Sequence, residues 1–221
     1  MARIEVCVEV VEGKRAFASA LDWPGWSRSG RTEEAAVRTL LDYAPRYAGI
    51  ARRAGLRLAT EGHEVEVVDR APGDASTVFG APSTVAAVEE GPVPAAGRRR
   101  LAALLEACWA ELDAVASGAP ASLRKGPRGG GRDRDAVVEH VVSAEVSYAR
   151  KLGVRFRQPA AADREAVRAY RGEILAAVIA GSGPEPPAGR TWPVRYLVRR
   201  TAWHAIDHAW EIEDRSRPAP D

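Results

Sequence analysis

The sequence predicts an α+β fold, with a small α+β domain at residues 1–90 followed by an all-α four-helix bundle at residues 93–221. Near the N-terminus apolar residues alternate with polar ones, which is the period of a half-buried strand. After residue 95 they recur every three or four residues, which is the period of a helix. A stretch rich in Gly and Pro separates the two patterns. We therefore expect the domain boundary near residues 91–95 and a second domain that folds alone.

Strands and one helix are expected in the first domain. Arg3–Glu12 and His63–Asp69 alternate in the manner of strands, and Arg15–Leu21 is predicted as another. Thr32, followed by two glutamates, is a typical N-cap for a helix, and Pro45 should kink that helix or end its first part. One more strand is a candidate within the Gly- and Pro-rich stretch, at Thr84–Val88.

Four helices are predicted in the second domain. The first carries one apolar stripe over residues 101–115. A basic loop at residues 126–132 and a Pro-rich connection at residues 183–189 separate parts of the helical pattern. The bounds of the other three helices are predicted from their capping residues, glycines and prolines. These helices run from Asp133 or Asp135 to about Leu152, from Asp163 to Gly181, and from Thr191 or Pro193 to about Asp214.

The segment Leu21–Trp26, with Gly30, Thr32 and Glu33–Ala35 after it, resembles the HicB-like antitoxin domain. That domain typically has a Leu-x-x-Pro-Gly turn before a helix that starts with Thr, Glu and Ala. The resemblance implies a unit that neutralises a partner toxin and carries a separate DNA-binding segment. No such DNA-binding segment is recognised in the sequence, so the alternative is a sheet that is structural or self-associating. A self-associating sheet would form a homodimer.

Composition and charge argue against several classes of protein. Residues 1–90 hold 11 basic and 14 acidic side chains, a net charge of −3, and the remainder holds 21 and 16, a net charge of +5. Neither value is typical of a nucleic-acid binder. No apolar run approaches the roughly 20 residues of a membrane span, and acidic residues interrupt the N-terminal segment where a signal peptide would be apolar. With only two cysteines, far apart, we expect a cytoplasmic protein without a membrane partner.

Three of the four histidines lie in the predicted helical bundle. His204 and His208 are one helical turn apart, so their rings project from the same face and can reach one metal ion. His140, on another predicted helix, would supply a third nitrogen, which is how metal sites in bundle cores are usually assembled. The alternative is a set of surface or core histidines without a metal. His63, at the start of a predicted strand, is expected to be structural.

The neighbours of these histidines indicate a substrate pocket. Ser143 and Ser147 are small residues on the helical face of His140, and Tyr148 would lie at the rim. Arg200, one turn before His204, would hold a carboxylate or a developing oxyanion if it points into the pocket; otherwise it is a solvated arginine. Asp207 is expected either to orient an imidazole or to be a solvated charge.

The predicted second and fourth helices, DRDAVVEHVVSAEVSYARKLG and RTWPVRYLVRRTAWHAIDHAWEIEDR, resemble those of the DinB-like (YfiT-like) metal-binding four-helix bundle superfamily. Its three metal ligands are one histidine on the second helix and a His-x-x-x-His pair on the fourth, and His140, His204 and His208 match these positions. The resemblance spans residues 93–215. It implies an up-down-down-up bundle with one divalent metal ion and a solvent-facing pocket. Several relatives are thiol S-transferases or isomerases that use mycothiol or bacillithiol, and others are metal-dependent hydrolases.

The leading hypothesis is a metal-dependent S-transferase that joins a low-molecular-weight thiol to a small electrophile. A metal-dependent hydrolase or isomerase is the first alternative, and a non-enzymatic, metal-stabilised binding or regulatory protein is the second. Three imidazoles leave coordination positions open, and zinc or nickel fits them best, with iron or manganese also compatible. Only three of the 32 basic residues are lysine, a bias typical of a GC-rich host such as an actinobacterium, where mycothiol would be the thiol.

Overall fold

The structure is a computed structural model that describes residues 2–125, 131–183 and 191–217. A four-stranded sheet at the N-terminus is followed by helices, which confirms the predicted α+β class. The predicted basic loop at 126–132 and the predicted Pro-rich connection at 183–189 lie mostly outside these ranges. In the described part of the chain, no helix is both long enough and apolar enough to cross a membrane.

The sheet consists of β1 (Ala2–Val11), β2 (Arg15–Ala20), β3 (Ser27–Gly30) and β4 (His63–Pro72). Their order is β3-β2-β1-β4; β1 pairs antiparallel with β2 and parallel with β4, and β2 pairs antiparallel with β3. The strand and the apolar face predicted for β1 are confirmed, since Ile4, Val6 and Val8 are buried, but its predicted half-burial is not. Side chains on the other face of β1 are buried as well, among them Cys7 and Glu9, so both faces of this strand are covered.

Seven helices of five or more residues are present among the described residues: α1 (Glu33–Asp42), α2 (Ala44–Arg53), α3 (Ala75–Phe79), α4 (Ala95–Gly118), α5 (Arg134–Ala149), α6 (Arg164–Ala180) and α7 (Val194–Ser216). Pro45 lies in the first turn of α2, directly after the break from α1, as its missing N–H predicts. The four long helices contact one another mainly through α4 and α7. Helix α4 packs against α6 and α7, and α5 packs against α7.

Two predicted helix starts are confirmed by their hydrogen bonds. The Thr32 hydroxyl accepts from the backbone N–H of Ala35 at 3.2 Å, and the Asp163 carboxylate accepts from the backbone N–H of Ala166 at 3.0 Å. Gly181 ends α6 with a φ of +95°, a conformation that favours glycine. Asp133 also stands at the N-cap position of α5, but its carboxylate accepts from the Leu123 N–H and the Lys125 ammonium group instead.

The strand predicted at Thr84–Val88 is wrong, because residues 87–89 form a 3-10 turn. Carboxylates take the backbone N–H groups that a strand would offer to its neighbour. The N–H of Thr84 donates to Glu9 at 2.9 Å, and the N–H of Ala87 donates to Asp69 at 2.6 Å. These donors are therefore unavailable to a β-ladder.

The turn that carries the HicB-like resemblance packs directly on the long helices. Gly25 has a φ of +96°, and a Cβ atom added there would lie 3.1 Å from the sulfur of Cys108 on α4 and 3.4 Å from Ala202 on α7. Beside it, the carbonyl of Pro24 accepts from the Tyr47 hydroxyl at 2.6 Å. Glycine is therefore required twice over at position 25, for its backbone conformation and for the close approach of α4 and α7.

The buried apolar side chains form one cluster that crosses the predicted domain boundary. It includes Ile4 and Val6 of the sheet together with Leu105 and Ile206 of the long helices. The division into residues 1–90 and 93–221 stays a prediction. The shared cluster nevertheless favours one cooperative folding unit over a second domain that folds alone, because removing the sheet would expose apolar surface on α4 and α7.

A buried ion pair joins α7 to the segment that follows β4. The Arg199 Nε donates to Glu89 Oε1 at 2.6 Å, and its Nη2 donates to Oε2 at 2.7 Å; the two side chains are 3% and 1% exposed. Arg199 Nη2 also donates to the carbonyl of Thr84 at 2.9 Å. This bidentate pair fixes the start of α7 against the segment that follows β4.

Replacing Arg199 by Met should destabilise the protein by about 3–5 kcal/mol, because Glu89 would be left as an unpaired buried charge. Urea unfolding of the full chain measures this change. The matched control is Arg53→Met, which breaks the exposed ion pair of Arg53 with Glu111 and should cost less than about 1 kcal/mol. Equal destabilisation by the two variants would contradict a special role for the buried pair.

Candidate metal centre

The three histidines predicted as ligands converge at one place. His140 lies in α5, and His204 and His208 lie one turn apart in α7. The ring centroids are 5.0 Å apart for His140 and His204, 5.2 Å for His140 and His208, and 4.8 Å for His204 and His208. Three rings at these mutual distances surround a common point. The packing of α5 on α7 therefore brings together residues that lie 64 positions apart in the sequence.

The distances between ring nitrogens fit a single small cation. His140 Nε2 and His204 Nε2 are 3.3 Å apart, and one nitrogen from each ring lies within 4.8 Å of the others. Two ligands of a tetrahedral zinc ion, each about 2.0–2.1 Å from it, are about 3.3–3.4 Å apart. The closest pair is thus already at ligand spacing. His208 has to approach the other two rings by a side-chain adjustment.

His208 is oriented by the carboxylate of Glu211, one turn further along α7. The His208 Nδ1 lies 2.7 Å from Glu211 Oε2, and the other Glu211 oxygen accepts from Arg215 at 2.6 Å. With its proton on Nδ1, His208 keeps the Nε2 lone pair for a ligand. The hydrogen bond to His208 lowers the pKa of Glu211, so this carboxylate is ionised at neutral pH.

Packing rather than a hydrogen bond holds the Nδ1 side of the His204 ring, while its Nε2 lies 3.3 Å from His140 Nε2. The residue is 6% exposed, and its Nδ1 is buried without a hydrogen-bond partner. Burial, with the charges of His208 and Arg200 as smaller causes, lowers the pKa of His204 to about 2. Burial also lowers the pKa of His140. Both imidazoles are therefore neutral near pH 7, which is the form that binds metals.

Two of the residues predicted around the pocket lie beside His204. The Arg200 guanidinium carbon is 5.2 Å from the ring centroid of Tyr148 and 4.7 Å from that of Trp203. The ring of Tyr148 is 5.9 Å from that of His204. Arg200 is half-buried, so it is not a freely solvated arginine, and it stands with Tyr148 at the edge of the histidine cluster.

The two predicted pocket serines differ in their placement. Ser143 is half-buried and Ser147 is exposed; both follow His140 along α5 at intervals of three and four residues, and so lie on its helical face. Trp192, which precedes α7, has its ring 5.2 Å from that of Tyr148. Trp192 falls between Thr191 and Pro193, the two predicted starts of this helix, and its position in the sequence gives no link to the pocket. Its ring thus packs on Tyr148, one of the residues predicted around the pocket.

Asp207 does not orient a histidine. Its carboxylate forms an ion pair with Arg28 of β3, and the Arg28 guanidinium lies 4.5 Å from the ring centroid of Tyr43 and 4.9 Å from that of Trp210. The first alternative expected for Asp207 is therefore wrong, and its carboxylate, which is 36% exposed, is a partly solvated charge that is paired with Arg28. The sequence offered no signal for this contact, because Arg28 and Asp207 are 179 positions apart.

A concave feature lies away from the histidines. A groove of about 1310 Å³ is lined by α4, α5 and α6, and its lining residues do not include His140. At the groove, Arg171 is paired with Glu145 and Asp113 at 3.1 Å. These contacts neutralise the groove's most buried cation, so the groove offers no unsatisfied charge at Arg171.

The cysteines belong to the core. Burial raises the pKa of Cys7 to about 11 and raises that of Cys108 further. Neither thiol is ionised near neutral pH, and neither is part of the histidine cluster. The donor set of the candidate centre is therefore three imidazoles. Any reactive sulfur would have to come from a second molecule.

Comparison of the chain with protein-family models, with curated proteins and with solved structures gave no match. Three imidazoles that face one point can hold one divalent cation and leave coordination positions for other ligands. This arrangement is typical of a catalytic metal site rather than a closed structural one.

Replacing Glu211 by Gln should weaken zinc binding about 10- to 100-fold, because His208 loses the carboxylate that fixes its ring and tautomer. Isothermal titration calorimetry of the full chain measures the affinity. The control is Glu173→Gln, which removes an exposed carboxylate of α6 that is not part of the histidine cluster. An unchanged affinity in Glu211→Gln, or an equal loss in both variants, would contradict the orienting role.

Proposed function

We propose that this protein is a metal-dependent enzyme in which His140, His204 and His208 hold one divalent ion. The observation that carries the proposal is the 3.3 Å separation of two imidazole nitrogens, with a third imidazole oriented toward them by a carboxylate. In this proposal the four long helices form a bundle of the DinB-like type. Zinc or nickel is the preferred ion, because both accept imidazole ligands readily, and iron or manganese is the alternative.

The residues of the site have separate roles in this proposal. A divalent ion held by three neutral imidazoles lowers the pKa of a bound water or thiol toward neutrality and thereby supplies a nucleophile. Glu211 keeps the proton of His208 on Nδ1. The burial of His204 excludes water from one side of the site. Arg200 and Tyr148 form the wall beside His204, where a substrate would lie.

The reaction we propose is S-transfer from a low-molecular-weight thiol of the mycothiol type to a small electrophile. The thiol would have to be a cosubstrate, since both cysteines are buried and have raised pKa values. Mycothiol is chosen because the bias of arginine over lysine is typical of a GC-rich host such as an actinobacterium, where mycothiol would be the thiol. A hydrolase would use the same three histidines with water in place of the thiol, so the experiments below are designed to separate the two.

The role that we propose for the N-terminal unit is to position α7. Three of its side chains, Arg28, Tyr43 and Arg46, contact the half of α7 that carries His208. Its net charge of −3 opposes binding to phosphate backbones. Self-association through this unit would leave the histidine site unchanged and is compatible with the proposal.

The wild-type protein should bind about one zinc or nickel ion per chain, and His140→Ala, His204→Ala and His208→Ala should each reduce occupancy severely, because two imidazoles make a much weaker site than three. Elemental analysis after dialysis measures the occupancy. His63→Ala is the matched control: the His63 ring contacts the carbonyl of Ala59 at 2.9 Å and is not in the cluster. A metal-free wild type that refuses added zinc, nickel and manganese would refute the proposal.

Thiol addition to the cobalt-substituted protein should produce a sulfur-to-metal charge-transfer band in the near ultraviolet, because the thiolate would occupy an open coordination position. Absorption spectroscopy with mycothiol, or with cysteine as a simple stand-in, measures it, and His204→Ala is the negative control. Turnover of a thiol with an electrophile would support S-transfer. An unchanged spectrum together with hydrolysis of an ester or amide would instead support the hydrolase.

A further inference from the structure

The buried and half-buried arginines of this protein differ in how their charge is balanced. Arg171 is paired with Glu145 and Asp113, and Arg199 is paired with Glu89. Arg200 has no carboxylate partner among the described residues, and its Nη1 is buried without a hydrogen-bond partner. In the described part of the chain, carboxylates thus pair with the cations that hold the fold together, but not with the cation beside the histidine cluster.

The guanidinium group of Arg200 is held in position by two aromatic rings. Tyr148 of α5 and Trp203 of α7 lie 5.2 Å and 4.7 Å from its central carbon, within the range of cation–π contacts. Arg200 precedes His204 by one helical turn, so the two side chains emerge from the same face of α7. Packing rather than an ion pair therefore keeps a positive charge next to the proposed metal ligands.

We propose that the substrate of this site carries a carboxylate that binds to Arg200. This inference rests on the proposed function and names the class of molecule that the site would accept. A guanidinium group matches a carboxylate in shape, since both are planar and two parallel hydrogen bonds can form between them. Two coplanar carboxylate oxygens fit the planar edge of a single guanidinium group, and phosphate is the competing anion that the test includes. Arg200 is thus a substrate-binding residue, and the reacting group of the substrate would lie toward His204.

The test compares thiols that differ only in the carboxylate. Mercaptoacetate and 3-mercaptopropionate, which place the carboxylate at two distances from the sulfur, are titrated into the cobalt-substituted full chain against the neutral amides of the same acids. Wild type should bind at least one of the acids about 10- to 100-fold more tightly than its amide, because a charge-assisted bidentate pair is added. In Arg200→Gln this preference should disappear while the charge-transfer band of the thiol remains.

Two variants serve as controls. Arg200→Lys keeps the charge but loses the planar pair of donors, so it should retain only part of the preference. Arg168→Gln removes an exposed arginine of α6 that lines the separate groove, and it should behave as wild type. Circular dichroism and cobalt uptake check that each variant is folded. A wild type without preference for either acid, or an Arg200→Gln variant that keeps it, would overturn the inference.

A second measurement separates this inference from the proposed function. Calorimetry of the metal-free wild type and Arg200→Gln with succinate tests the carboxylate site without any metal, and inorganic phosphate is titrated in parallel. Succinate binding that Arg200→Gln abolishes would support the inference even if cobalt uptake failed and the proposed function fell with it. The inference would be contradicted if the two proteins bound succinate equally or if neither bound it. It would also be contradicted if wild type bound phosphate more tightly than succinate.

Discussion

The Arg199–Glu89 ion pair is the interaction on which the geometry of the histidine site depends most. It lies near the start of α7, five residues before His204, and both of its side chains are almost completely buried. A helix is rigid over such a distance, so fixing the rotation of its first turns fixes the direction of every later side chain. Arg199 and Arg200 are adjacent in the sequence but therefore point in different directions. The first faces the sheet side and is neutralised there, while the second emerges beside the histidines.

The other end of α7 is fixed by the N-terminal unit. Arg28 pairs with Asp207, and Arg46 pairs with Glu213 and Asp214, while the ring of Tyr43 lies 4.9 Å from that of Trp210. These contacts flank His208 along the helix. The sheet unit consequently has a direct structural effect on the site although it contributes none of the three imidazoles. One apolar cluster also includes residues of both the sheet and the long helices, so the two parts pack directly on each other.

Local patterns in the sequence predicted much of this structure. The alternation of β1, the caps at Thr32 and Asp163, and the convergence of the three histidines all follow from spacing along single elements or from one resemblance. The failures come from contacts between distant segments. Thr84–Val88 has strand-like residues, but carboxylates from β1 and β4 take its backbone donors. The Glu89–Arg199 pair joins residues 110 positions apart, and neither residue is distinguishable from a solvated charge in the sequence alone.

The distribution of the three imidazoles over two helices has a thermodynamic consequence. His140 belongs to α5, whereas His204 and His208 belong to α7, so an ion bound by all three acts as a cross-link between the two helices. Such an ion binds the folded chain and has no comparable site in the unfolded one, so its free concentration enters the folding equilibrium by mass action. The metal occupancy and the folded fraction of the protein would then increase and decrease together. A substitution far from the histidines that loosens α5 from α7 would appear in a titration as weaker metal affinity, and metal supply would set how long the protein persists.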